Sequence, residues 1–412
     1  MTTSGETCDV AVVGAGILGL ATARELLRRD PDLRLTIVER EDRVGVHQTG
    51  HNSGVVHAGI YYAPGSLKAR LCVEGARELY AFCERHDIPV ERCGKVIVAL
   101  TPDELPGLDA LEERGRRNRV PELRRVDRVG LRELEPHAEG VAALHSPATG
   151  IVDFPAVARA LAAEVAERGG ALALGREVTG VDSRAAEVVL RTPTDELMAR
   201  HAVFCAGAWS DRLAVAAGAP PDPRIVPFRG AYLRLRPDRR HLVRSLIYPV
   251  PDPALPFLGV HLTRHIGGDV LVGPTALLAG AGDAYRMRRI RPRDLAATLA
   301  WPGTWRMARR WWRTGLAELG YALSRTAFVH AAQRYVPELR PEDVLPGPAG
   351  VRAQALGRDG SLVDDFVISH AGRTLHVRNA PSPAATSSLA IARLIADRAQ
   401  EAFGLEVSGA LR

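Results

Sequence analysis

Three glycines, Gly14, Gly16 and Gly19, follow an apolar run, CDVAVV, and open an amphipathic stretch that reaches Arg29. A second apolar run, LRLTIVE, ends at Glu39, 20 residues beyond Gly19. That order suits a bound dinucleotide. Glycines allow a tight turn and close backbone approach to a pyrophosphate, the helix points its N-terminus at the phosphates, and the acid accepts from a ribose hydroxyl. Two distant stretches can complete such a site. In HAVFCAGAWSDRL an apolar run meets small residues, so Ala206 and Gly207 can lie against a cofactor. In NAPSPAATSSLAIARLIA small and hydroxyl residues precede a helix whose N–H groups and dipole suit the electron-rich pyrimidine side of a reduced flavin. The glycines alone do not separate NAD from FAD. Their early position, with completing segments far downstream, favours FAD.

The elements that must position these residues read as an α/β protein. After the strand, glycine turn, helix and strand comes a glycine-rich loop from Gly45 to Pro64. A helix then follows, with Leu67, Leu71, Gly75, Leu79 and Phe82 on one face, and next a strand, KVIVAL. Charged helical segments lead to Pro136. A second α/β block has a helix over Pro155 to Arg168, strands near 171–174 and 188–190, and the 201–213 stretch, and both blocks are expected to share one sheet. Between about Pro220 and Pro346, Pro-rich corners separate stretches that read as antiparallel strands (RGAYLRL, SLIYPV, FLGVHL, DVLVG) and a single helix, WPGTWRMARRWWRTGLAELGYAL, with Trp301, Trp305, Ala308 and Trp312 on one face. A strand, LHVRN, and a helix from about Ala384 to Phe403 close the pattern. The expected architecture is a discontinuous Rossmann-like FAD-binding domain (1–92, 140–219, 345–412) with an inserted α+β substrate domain on an antiparallel sheet (93–139, 220–344).

Composition narrows the class. The chain has 412 residues, 46% hydrophobic and 25% charged, enough for a sizeable core and unlike a disordered or small disulfide-stapled protein. It shows neither a long uncharged apolar run nor a cleavable leader pattern. Five scattered cysteines without a C-x-x-C pair fit reduced thiols and a cytoplasmic setting, and offer no cysteine-based metal site. The net charge of +6 is mild. Of 54 basic residues all but Lys68 and Lys95 are Arg, so these two lysines are candidates for a compact point charge that Arg cannot supply.

The blocks HQTGHNSGVVHAGIYYAPGSLKA, CGKVIVA, PFRGAYLRL, IYPVPDPALPFLGVHLTR, VGPTA, GVRAQA, LVDDF and NAPSPAATSS resemble, in family order, the L-2-hydroxyglutarate oxidase family. That family is a branch of the FAD-dependent D-amino-acid-oxidase-like oxidoreductases. Agreement is weaker over 102–136 and 278–321. The resemblance implies FAD as cofactor and oxidation of a small 2-hydroxydicarboxylate by hydride transfer to flavin, with electrons passing to oxygen or a membrane quinone. That chemistry needs a base for the hydroxyl proton and cations for two carboxylates. His57 and His261 are the candidate bases. Tyr61, Tyr62, Lys68, Lys95, Arg229, Arg264 and Arg352 are candidate substrate ligands, with Arg229 and Arg352 as the expected clamp. Cofactor contacts are expected from Gly14, Gly16, Ile17, Gly19, Glu39 and Arg40, from Thr49, His51, Asn52 and Ser53, from Val178, Ala206 and Gly207, and from Asn379, Ala380, Pro381, Ser382 and Ala384. His51 stands where some relatives attach FAD covalently, but a hydrogen bond to the cofactor is the expected role.

Two alternatives remain open at this point. One is an amine oxidase of the glycine or sarcosine oxidase type, which needs one anion site where a diacid needs two. The other is a basic flavoprotein whose main task is binding tRNA or membrane, although the Arg stretches carry no nucleic-acid reading motif. The Trp/Arg helix either packs its tryptophans on the substrate domain or lies peripherally on the inner face of the cell membrane.

Overall fold

The computed structural model describes residues 7–405 apart from 254 and 256. Its first sheet has eight strands. Thr7–Val13 lies between Leu35–Val38 and Glu196–Phe204, parallel to both, while Ala171–Ala173 and Thr374–Asn379 extend the parallel part on either side. Val10, Ala11 and Val12 have no exposure, as a parallel strand covered on both faces requires. The helices Ile17–Arg29, Phe154–Glu167 and Ser388–Phe403 cover one face through Leu20, Leu161 and Ile395. Neighbours on both sides of Thr7–Val13 place a crevice at its carboxyl end, where such sheets hold ligands.

The second sheet has nine strands and is antiparallel except where Lys95–Ala99 meets Leu246–Pro249. Its longest pair is Arg224–Leu235 against Val344–Leu356. A small sheet of Val55–Val56, Gly150–Val152 and Val90–Glu91 lies between the two in sequence and carries the chain from the glycine-rich loop onward.

Four expectations change. Ala142–Ser146 and all of Val344–Leu356 beyond Val344, expected in segments 140–219 and 345–412 of the cofactor part, hydrogen-bond in the nine-stranded sheet. The strand expected at FLGVHL starts only at His261. The last helix starts at Ser388, not Ala384, because residues 382–387 form turns packed against Leu67–Arg85. A Cβ on Gly75 would lie 2.5 Å from the Ser387 Cα, so glycine in mid-helix permits that approach. The Trp/Arg helix is two helices, Pro302–Arg310 and Trp312–Leu323, broken at Trp311. Its tryptophans do not share a buried face: Trp301 is buried and donates to the Leu356 carbonyl, while Trp305 and Trp312 are exposed.

Candidate active site

One continuous cavity of about 1070 Å³ opens at the carboxyl ends of the parallel strands and runs from Gly14 and Glu39 to His261 and Arg352. That is the upper end of ordinary small-ligand pockets, roughly 300–1,000 Å³, as a dinucleotide plus a small substrate requires.

The cofactor half is built by the glycine turn. The Gly14 N–H donates to the Val38 carbonyl, and the Cys205 N–H donates to the Val13 carbonyl. Gly14 has φ +106°, and a Cβ there would lie 2.5 Å from the Cys205 oxygen, so only glycine fits. Gly19 does not line the cavity: a Cβ there would sit 1.9 Å from the Gly14 oxygen, so its role is the close packing of helix on turn. Gly16 leaves open space toward Thr49, whose Oγ1 accepts from the Ile17 N–H at 3.0 Å. Apart from Thr49 on the Ile17 N–H, neither Ile17–Arg29 nor Ser388–Phe403 has a capping side chain or an acid in its first turn, so nothing there opposes an anionic ligand. Glu39 is buried and fixed by the Ala15 N–H (2.6 Å) and the Glu41 N–H (3.0 Å). These features fit an FAD pyrophosphate and ribose. Arg40, Val178, Ala206 and Gly207 line the same end, where Arg40 stacks on Trp209 at 3.7 Å.

His51, Asn52 and Ser53 line the middle. The His51 Nδ1 lies 3.0 Å from the Ala349 carbonyl and its ring stacks on Tyr285 at 3.7 Å, while Asn52 shapes its own loop through Gln48, Thr49 and Gly54. On the opposite wall, Asn379 donates to the Val363 and Asp365 carbonyls and leaves its buried Oδ1 without a partner. Ala380, Ser382 and Ala384 line the cavity, whereas Pro381 does not.

The substrate half joins this wall to the cavity face of the nine-stranded sheet. The His57 N–H donates to Thr386 Oγ1, whose hydroxyl donates to the Val55 carbonyl, so the C-terminal turns fix the histidine loop. His57 Nε2 is 3.4 Å from Ser382 Oγ, and its Nδ1 is buried and unpartnered. His261 Nδ1 is held 2.9 Å from Thr263 Oγ1, and its ring stacks on Tyr248 at 4.1 Å. Burial, then Lys95, then the other histidine hold the His57 imidazolium well below its usual range. Burial, then Lys95 and Arg352, push His261 down to about 3. Both imidazoles are therefore neutral, the form that accepts a proton. Burial raises the Tyr61 and Tyr62 phenols well above their ordinary value, so they are neutral donors.

The expected substrate cations separate by strand parity. Arg352 lies opposite Phe228, and both line the cavity; Arg229, the next residue along its strand, does not line it and reaches the Tyr285 carbonyl at 3.4 Å. The Arg229–Arg352 clamp is thus not formed. Arg352 is open to the cavity, stacks at 5.0 Å on Phe257, and has no carboxylate partner among the described residues. Arg264 does not line the cavity and pairs with Glu91 at 3.0 Å. Lys68 lines the cavity but is tied to Asp364 at 2.8 Å. Lys95 lies behind the lining. The sequence reading passed over Tyr232, Tyr248, Trp209, Asp364 and Thr386, all of which line the cavity. Tyr232 and Phe228 share parity with Gly230 in PFRGAYLRL, a signal available once that strand is paired.

A glycine cradle for a dinucleotide, continuous with a pocket holding two neutral imidazoles and an unpaired guanidinium, is the arrangement of a flavin-dependent oxidoreductase. The chain belongs to the FAD dependent oxidoreductase family, whose signature matches residues 9–398. It is 49% identical to the mitochondrial L-2-hydroxyglutarate dehydrogenase of Nematostella vectensis, over 97% of this chain and 92% of the relative. It is 42% identical to the L-2-hydroxyglutarate dehydrogenase of Escherichia coli (strain K12), over 95% and 93%. Among solved structures, the FAD-bound L-alpha-glycerophosphate oxidase of Mycoplasma pneumoniae superposes with a TM-score of 0.80 at 23% identity, covering 99% of this chain and 97% of that one. Glycine oxidase from Geobacillus kaustophilus gives 0.71 at 21%, covering 96% and 95%. The family resemblance read from the sequence is borne out, and FAD is the cofactor.

Proposed function

We propose that the protein oxidises L-2-hydroxyglutarate to 2-oxoglutarate. The observation that carries this reading is the 42–49% identity, over nearly the whole chain, to relatives named for that substrate. FAD, when bound, supplies the acceptor for the C2 hydride. His57 takes the hydroxyl proton, because its ring lines the cavity, is neutral, and is held between the histidine loop and the cofactor-side turns. His261, beside Arg352, donates to or orients the substrate. Arg352 binds one carboxylate through its planar fork. The rings of Tyr61, Tyr62, Tyr232, Tyr248 and Phe257 exclude water around the reacting carbon. The test is anaerobic mixing of the purified flavoprotein with a panel of acids, followed by flavin absorbance. L-2-hydroxyglutarate bleaches it fast and lactate poorly, since lactate lacks the second carboxylate and forgoes a charge-assisted contact of about 1.5–3 kcal/mol. Faster bleaching by glycine or sarcosine would replace this reading with an amine oxidase.

We infer further that electrons leave to a quinone at a membrane surface, with oxygen as the other acceptor to be compared. No helix among the described residues is long and apolar enough to cross a membrane. Trp312–Leu323, however, turns an apolar stripe outward: Trp312, Leu316, Leu319 and Leu323 are 55%, 59%, 43% and 74% exposed. Glu318 and Tyr321 face inward, Glu318 accepting from the Ala276 N–H. Arg309, Arg310 and Arg313 flank the stripe, the pattern of an interfacial helix. Vesicles containing anionic lipid should sediment the protein, and the double variant Leu316→Gln/Leu323→Gln should stay in the supernatant with flavin reduction intact. Equal sedimentation of the variant would remove this surface from the account.

A further inference from the structure

Lys95 opens the strand Lys95–Ala99, opposite Leu246 on one side and Ser146 on the other. It is 1% exposed. Its ammonium lies 4.2 Å from the Tyr248 ring centre and 5.1 Å from that of Tyr61. A buried ammonium ordinarily requires a carboxylate, because the loss of hydration is not recovered otherwise. Here none of the described carboxylates pairs with it. The groups that face it are neutral. Tyr61 comes from the histidine loop and Tyr248 from the adjacent strand. Ser146, directly opposite, is engaged by Thr149. Cys72 comes from the helix Leu67–Arg85 and Cys93 from the preceding turn, their thiols pushed up by burial to about 12 and about 11. His57 and His261 complete the set, with Arg352 beyond His261. The aromatic faces attract the cation but do not neutralise it.

We propose that Lys95 is the second anion-recognising group of the pocket, a positioning residue whose missing counter-ion is the substrate's own carboxylate. It acts through the rings and imidazoles in front of it, not by contact. This inference rests on the dicarboxylate reading and deepens it. It supplies the charge that Arg229, on the wrong strand face, does not.

The pH dependence has a definite sign. Burial lowers Lys95 to about 7, so the free site loses this cation as pH rises above that value, and an arriving dianion draws a proton back onto it. Calorimetric titration of the FAD-loaded protein with 2-oxoglutarate, in two buffers of different ionisation enthalpy at pH 8, should show proton uptake. Affinity should weaken roughly tenfold per pH unit above 7. In Lys95→Met the affinity at pH 7 should be about tenfold weaker or more and lose that slope, and the acid limb of the flavin-reduction rate should move up as both histidines lose a neighbouring charge. A merely structural lysine would change rates without altering slope or proton count. Wild-type affinity that is flat from pH 7 to 9 with no proton uptake would overturn the proposal, whether or not Lys95→Met folds. If 2-oxoglutarate fails to bind, the substrate reading falls; the same slope measured with whichever acid bleaches the flavin then decides the role of Lys95.

Discussion

His57→Gln should slow flavin reduction at saturating L-2-hydroxyglutarate by about 100-fold or more while leaving FAD bound, the usual scale for removing a general base. The imidazole has the position for this role: its backbone is locked by Thr386, and its ring lies between Ser382 on the cofactor-side wall and the pocket. It also has the protonation state, since burial and Lys95 hold it neutral well below its ordinary range. The rate in the wild-type protein should therefore stay level to lower pH than a free imidazole would allow. His261→Gln should cost less in rate and more in affinity, because His261 is held by Thr263 and stands beside Arg352. Single-turnover absorbance traces separate these effects. Rates that stay fast at saturation in both variants would remove the histidines as base candidates.

The second large effect is on binding. Arg352→Met should weaken substrate affinity by about 1.5–3 kcal/mol, roughly 10- to 150-fold, with a smaller change in the rate at saturation. Arg352→Lys should fall between, because the charge stays and the two-point grip is lost. Arg229→Lys should leave affinity nearly unchanged, since Arg229 faces away from the cavity toward Tyr285. Titration of the oxidised protein with 2-oxoglutarate checks all three. An Arg229 variant that weakens binding as much as Arg352→Met would contradict the assignment of the two strand faces.

The glycine turn and the residues that line the cavity beside it were legible because local spacing determines them. Gly14, Gly16 and Glu39 are set by a strand, a turn and a helix within one short segment, and the downstream Ala206 and Gly207 follow from small residues after an apolar run. The substrate half was only partly legible. Its residues come from several separated segments, and whether Arg229 or Arg352 lines the cavity depends on strand parity, which is fixed by pairing with a partner more than a hundred residues away. Lys68 failed as a free cation for a similar reason. Asp364, its partner, lies far along the chain in a loop. The Trp/Arg segment misled because helical periodicity was read through Trp311, where the chain turns, so Trp301 went inward while Trp305 and Trp312 went outward.

The most direct test of the central claim is a single anaerobic turnover. One equivalent of L-2-hydroxyglutarate added to the FAD-loaded protein should bleach the flavin and yield one equivalent of 2-oxoglutarate, while the D-enantiomer leaves the absorbance unchanged. A yellow, folded protein that L-2-hydroxyglutarate does not reduce, and that another acid or amine reduces readily, would contradict it.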